Sequence, residues 1–297
     1  LLAIARARFE RNQLLDPAGD STRDYVERAL ALDAENQDAL AVRAELAAAV
    51  TDSARLVLES GDLEGATALA NEARRLGAPS ETLALLDLDL AAAREAAARR
   101  AQGQLLALGL ERMRQDRLVA PEDDSALFYL GRLNDENADY PGFASAWGEL
   151  SVLLTDRIET AISTQDWEGA ESWIAALASV ADGTAVEAQR RELAAARLQA
   201  EYLAKPAAAG ELRIATTGQL EYPADALRLE IDGWVYVEFI VGVDGVPRDA
   251  RILDASPRNR FEEAALSAVS LYRYVPFERD GRVYERLARL RIRFDLQ

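Results

Sequence analysis

Apolar and polar positions change their rhythm near residue 205. Before it, apolar residues recur at spacings of three and four, as in Ala66, Leu69, Ala73 and Leu76, which is the period of a helix packed along one face. After it, Gly233 to Val241 alternates, with Val235, Val237, Phe239 and Val241 on one side and Trp234, Tyr236, Glu238 and Ile240 on the other. That is the period of a strand. Asp244-Gly245 separates this run from a second one ending Ala250-Arg251-Ile252-Leu253, and Asp-Gly suits a tight two-residue hairpin. Phe261, Ala265, Ala268, Val269 and Tyr272 share one helical face, with Asn259 as the expected cap. Leu287 to Phe294 alternates again, turning Ala288, Leu290, Ile292 and Phe294 one way and Arg289, Arg291 and Arg293 the other. The expected order is strand, strand, helix, strand.

The helical part repeats itself. A shift of 104 positions aligns Leu1-Leu2-Ala3 with Leu105-Leu106-Ala107, Pro17 with Pro121, and Asp20-Ser21 with Asp124-Ser125. It also aligns Tyr25 with Tyr129, Glu45-Leu46 with Glu149-Leu150, and Asp62 with Asp166; 19 of the first 66 positions are identical without a gap. This predicts a tandem duplication, with copies at 1–104 and 105–204. Three repeats of roughly 34 residues fill such a length, the size of a tetratricopeptide unit. Gly61-Asp62-Leu63-Glu64 and Ala29-Leu30-Ala31-Leu32-Asp33 resemble second-helix and exit segments of tetratricopeptide hairpins. The motif's first-helix tryptophan and tyrosine are out of place, and Ser80 to Leu118 reads as one long helix.

The last third, Gln219 to Gln297, resembles the TonB C-terminal domain. Tyr222-Pro223, Gly233 before the first strand, Asp244-Gly245, Phe261 at the helix start, and Arg273-Tyr274 with Pro276 at its exit follow the family pattern in order. Trp234 and Tyr236 depart from it, standing where the family is commonly polar. The expected fold is α+β overall. An all-α helical-repeat solenoid spans 1–204, a linker 205–210, and a β-β-α-β TonB C-terminal-like domain 211–297, which is expected to fold by itself. The resemblance implies that the final strand and the segment before Tyr-Pro capture an extended segment of a partner. That nominates Gln219, Leu220 and Tyr222 together with Arg289, Leu290, Arg291, Ile292 and Arg293.

Composition narrows the chemistry. The 297 residues hold no cysteine and no histidine, which removes the usual zinc and copper ligands and histidine-based catalysis. Ser151 and Ser270 therefore lack a base, and the Asp87/Asp89 and Asp123/Asp124 pairs have neither calcium-loop glycine nor ligand spacing. No enzyme, metal site or cofactor is expected, and Trp147, Trp167 and Trp173 are expected to be core residues. The net charge is −17. Residues 205–297 carry 14 basic and 15 acidic side chains, leaving 20 and 36, or −16, for the helical part. Such a surface does not attract nucleic acid, but it suits solubility or a basic protein partner.

The chain begins Leu-Leu-Ala-Ile rather than with methionine, so upstream residues are expected, and no run of about 20 apolar residues is present to span a bilayer. Two functions remain open. In one, implied by the resemblance, this is the periplasmic part of an energy transducer that binds the TonB box of an outer-membrane transporter. Upstream sequence would anchor it in the inner membrane beside a proton-motive complex. In the other, the array docks a further protein as an envelope scaffold, with the small domain as its anchor.

Overall fold

The computed structural model describes residues 1–208 and 210–296; Ala209 of the expected linker and Gln297 of the expected domain lie outside the described residues. The chain divides into two compact units, 1–146 and 147–297.

In the first unit, helices α1 (Leu2–Glu10), α2 (Thr22–Leu32), α3 (Gln37–Glu59), α4 (Leu63–Leu76), α5 (Ser80–Arg114) and α6 (Ala126–Asn137) follow one another, through short turns from α2 to α5 and through longer loops between α1 and α2 and between α5 and α6. The helical periodicity explains their packing. Leu46, Ala47 and Val50 of α3 meet Ala73 and Leu76 of α4 and Leu83 of α5, and Ala54, Ala66, Ala70, Leu86 and Leu90 continue the same interface. Small residues on facing positions let the helices approach closely. Ends are fixed by side chains: Ser21 and Asp24 form a reciprocal capping box on α2, and the Asp62 carboxylate accepts from the Gly65 N–H.

One arrangement occurs twice in this unit at an offset of 104. Asp20 accepts from Arg8 Nε at 3.1 Å and from the Tyr25 hydroxyl at 2.8 Å. Asp124 accepts from Arg112 Nε at 2.7 Å and from the Tyr129 hydroxyl at 2.9 Å. The N–H of Thr22 donates to the Gln13 carbonyl, and that of Ala126 to the Arg117 carbonyl. In both places the carboxyl is held below the ordinary aspartate value: at Asp20 chiefly by the tyrosine hydrogen bond, at Asp124 chiefly by Arg112.

The second unit holds most of α7 (Phe143–Ser163), then α8 (Trp167–Leu177) and α9 (Gly183–Ala204). Trp147, Trp167 and Trp173 are half-buried rather than core residues. Beyond them come β1 (Ile214–Thr216), α10 (Ala224–Arg228), β2 (Gly233–Val241), β3 (Pro247–Ser256), α11 (Glu262–Leu271), β4 (Arg273–Tyr274), β5 (Phe277–Arg279), β6 (Arg282–Tyr284) and β7 (Arg286–Phe294). The main sheet is antiparallel in the order β3-β2-β7, while β1 pairs with β4 and β5 with β6. Its inner face (Val235, Val237, Phe239, Val241, Ala288, Ile292, Phe294) is covered by Phe261, Ala265 and Val269 of the α11 region. At Gly233 a Cβ would stand 2.4 Å from the Phe261 ring and 2.6 Å from the Ser256 carbonyl oxygen, so only glycine fits where strand and helix start meet.

Local expectations need three corrections. The β2–β3 connection is a three-residue loop, Val243-Asp244-Gly245: the Gly245 N–H donates to the Gly242 carbonyl, and Gly242 and Val246 close the ladder. Only Gly245 has a positive φ, 76°, so the backbone follows the turn-plus-bulge form rather than the two-residue form that needs two such residues. Asn259 does not cap α11: the residue before the helix is Phe261, which makes no side-chain cap bond, and Asn259 sits at φ 58° while the carboxylate of Glu262, the first helical residue, accepts from the N–H groups of Asn259, Arg260 and Phe261. The order strand, strand, helix, strand also omits α10, β1, β4 and the β5–β6 hairpin, which turns through Asp280 and Gly281 at φ 52° and 76°. That pair is the Asp-Gly signal of a two-residue hairpin, present in the sequence at this second place.

Candidate functional site

The two edges of the main sheet differ. β3 pairs with β2 through two register shifts, and Asp249 sits at φ 53°. Such bulges twist a strand and break its row of hydrogen-bonding groups. β7 pairs with β2 from Gly233↔Phe294 to Val241↔Arg286 without a shift. It is a straight edge.

Which of its groups face outward follows from one bond. The N–H of Ala207 donates to the Leu287 carbonyl at 2.7 Å, so residue 287 presents its main chain away from β2. In an unbulged antiparallel strand the two main-chain groups of a residue point the same way and alternate along the chain. Arg289, Arg291 and Arg293 therefore turn their N–H and C=O outward, while Ala288, Leu290 and Ile292 spend theirs on β2. Among the described residues no hydrogen bond reaches the outward groups of 289, 291 and 293.

On the outer face of the sheet, Glu238 is buried to 4% exposure between two guanidinium groups. Arg251 of β3 donates to one carboxylate oxygen through Nε at 2.8 Å, and Arg289 donates to the other through Nε at 2.8 Å. These bonds, Arg251 first, hold the Glu238 carboxyl below the ordinary glutamate value although burial opposes them. Arg291 lies over the Trp234 ring at 4.2 Å, within cation–π reach. Among the described residues no carboxylate pairs with Arg291 or Arg293. The edge thus carries one neutralised and two uncompensated arginines.

The nominated residues do not gather at one place. Arg289, Arg291 and Arg293 line the outer face and the free edge; Leu290 and Ile292 turn into the core side. Gln219 and Leu220 are exposed in the segment before α10. Tyr222 packs edge-on to Phe261 and Phe294, with ring centres 5.6 and 5.8 Å away, and its hydroxyl donates to the Ile231 carbonyl at 2.5 Å. That side chain packs into the core and spends its one hydroxyl proton on Ile231 rather than on a partner.

A residue not singled out from the sequence sits where β7 begins. Arg286, only 7% exposed, donates to the carbonyls of Tyr202 and Lys205 at the end of α9 at 2.9 and 2.6 Å, and to the Glu211 carboxylate at 2.9 Å. It also lies over the Tyr202 ring at 4.8 Å. Tyr202 in turn packs edge-on to Phe277 and Tyr284 and accepts from Arg279, while Gln199 exchanges two hydrogen bonds with the Glu285 backbone. The helix end, the turn after it and β7 are bonded together. The usable signal was Arg286 itself, a cation at a core-facing position of an alternating strand. Beside it an open groove of ≈ 450 Å³ runs along β7, lined by Pro206, Ala207, Leu212, Ile214, Tyr236, Tyr274, Arg289 and Leu290, among others.

Residues 218–296 match the family model described as Gram-negative bacterial TonB protein C-terminal. The chain is 41% identical over 64 residues to Protein TonB of Escherichia coli (strain K12), a match covering 22% of this chain and 27% of that protein. The solution NMR structure of the Pseudomonas aeruginosa TonB CTD aligns with 31% of this chain and 94% of its own, at 22% identity and a TM-score of 0.28. The tonb2 protein of Vibrio anguillarum aligns with 27% of this chain and 76% of its own, at 28% identity and a TM-score of 0.23. The chain thus spans about a quarter of the length of the curated relative it matches. Among the described residues no helix is long and apolar enough to cross a membrane, and no group of acidic side chains could hold a metal ion.

Proposed function

We propose that this chain is the periplasmic part of a TonB-like energy transducer, whose C-terminal domain captures an extended segment of an outer-membrane transporter by strand addition to β7. The observation that carries the reading is the straight, unpaired edge at Arg289, Arg291 and Arg293, within the segment that matches the TonB C-terminal family. Main-chain bonds to that edge supply affinity, and the arginine face favours acidic residues in the captured segment. An upstream membrane anchor and its proton-motive partner complete the scheme. The role involves no catalytic step. Titration of the whole chain with a TonB-box-like peptide flanked by acidic residues tests it: weak binding that falls with salt is expected, and equal binding of a scrambled peptide overturns it.

The helical region is, on this reading, a tandem duplication of a divergent tetratricopeptide-like array. The Arg–Asp–Tyr arrangement recurring at an offset of 104 supports the duplication. Its charge of −16 suits a basic protein partner, as in the scaffold alternative, and capture of a partner by residues 1–146 without the C-terminal domain would favour that alternative.

A further inference from the structure

The edge offered by β7 is not open along its whole length. At its start the chain's own turn after α9 already occupies the outward carbonyl of Leu287, through the Ala207 N–H. The turn is held there from both sides. Arg286 bonds the Lys205 carbonyl before it and the Glu211 carboxylate after it, and Glu211 also accepts from the Ala208 N–H at 2.8 Å. Among the described residues beyond Ala207 no further main-chain bond ties this segment to β7, and Leu212 and Ile214 line one groove with Arg289 and Leu290. Strand and turn form a fork, closed at Leu287 and open toward Phe294.

We infer that this fork sets the register and length of the captured strand: a partner segment pairs with β7 only from Arg289 to Arg293, and its leading residue abuts the Ala207–Leu287 bond. The inference rests on the docking reading given above. It also specifies the partner's chemistry. At the closed end the groove offers Leu212, Ile214, Tyr236, Tyr274 and Leu290, which suit a bulky apolar residue. Toward the open end Arg291 and Arg293 suit acidic residues on the outer face. The segment that fits is short and extended, apolar at the end that reaches the fork and acidic behind it. Ala207, Glu211 and Arg286 then act as positioning residues, since they limit where the partner lies without bonding it.

The test uses the whole chain with isotope-labelled backbone amides and a synthetic peptide of roughly ten residues, longer than the edge, with an apolar end followed by acidic residues. In the wild-type chain the amides of Arg289, Arg291 and Arg293 should become protected while that of Leu287 is unchanged. Ala207→Pro removes the single N–H donor from a segment already in a proline context, and Glu211→Gln weakens the clasp independently. Either should extend protection to Leu287 and tighten binding by roughly two- to tenfold, the worth of about one further hydrogen bond. A wild-type footprint that already includes Leu287, or variants with unchanged footprint and affinity, would overturn the stop while leaving docking intact. Absence of any protection at 289 to 293 in the wild type would overturn the docking reading itself, and the stop with it.

Discussion

Proline substitution reads the polarity of β7 directly, because proline lacks the N–H that distinguishes one parity from the other. Leu290 turns its N–H toward β2 and Arg291 turns its own outward, as fixed by the Ala207–Leu287 bond. Leu290→Pro therefore removes a ladder bond and strands a carbonyl of Val237 in the sheet. The bond is worth about 1 kcal/mol net and the unpaired buried acceptor about 1–3 kcal/mol more, so a loss of roughly 2–4 kcal/mol is expected. For a unit of this size that lowers the melting temperature by roughly 4–15 °C. Arg291→Pro sacrifices only the contact with Trp234, worth about 0.5–1 kcal/mol at an exposed site. Leu290→Ala and Arg291→Ala supply the side-chain baselines, and calorimetry of each pair isolates the backbone term. Peptide binding should vanish in Arg291→Pro although its sheet survives. Equal melting penalties for the two prolines, measured against their alanine controls, would refute the assigned parity.

Three further outcomes are expected. Glu238→Gln should cost about 1–2 kcal/mol near neutrality, discounted because Arg251 and Arg289 are solvent-exposed, and should flatten the acid limb of stability. Because the folded Glu238 carboxyl is depressed, its contribution is complete above the unfolded glutamate value and fades as pH falls through the lower folded value, so chemical denaturation from pH 7 to pH 3 shows the difference. A fragment beginning at residue 183 should melt well above one beginning at residue 211, since the shorter one loses Tyr202 from between Phe277 and Tyr284, an aromatic contribution of about 3–5 kcal/mol; equal melting would show that α9 adds nothing. Gly233→Ala should lose about 1–3 kcal/mol in urea titration, because the added methyl would overlap both the fully buried Phe261 ring and the Ser256 carbonyl.

Elements that bury one face were readable from the sequence, since burial imprints a period. Val235, Val237, Phe239 and Val241, Ala288, Ile292 and Phe294 of β7, and Phe261, Ala265 and Val269 at and within α11 lie in the core as their spacing predicts, with Leu290 partly buried against them. What left no period was harder to read. β1 and β4 are three and two residues long, too short to alternate. The bulges in β3 leave alternation broken in the structure and therefore in the sequence. Asn259 looks like a cap in isolation, yet the helix starts three residues later, behind Phe261, and the Asn259 N–H is itself bonded by the Glu262 carboxylate. The edge arginines were legible as a cationic row, but their outward main chain is set by the register with β2, about 50 residues earlier, and is revealed by the bond from Ala207, 80 residues before Leu287. Arg286 was hidden for the same reason: its partners Tyr202, Lys205 and Glu211 are 75 to 84 residues away.

A straight edge that welcomes a partner also welcomes its own kind. If two copies met antiparallel along β7 with Arg291 at the centre, Arg289 of one would lie across from Arg293 of the other, with side chains about 5 Å apart. Among the described residues only Arg289 of the three carries a counter-charge, from Glu238, so the junction would gather mostly unscreened guanidinium groups on one face. Like charges directly opposite one another disfavour such pairing, and dissolved salt weakens that protection. The same three side chains that would draw in an acidic visitor keep each molecule from becoming the visitor of the next.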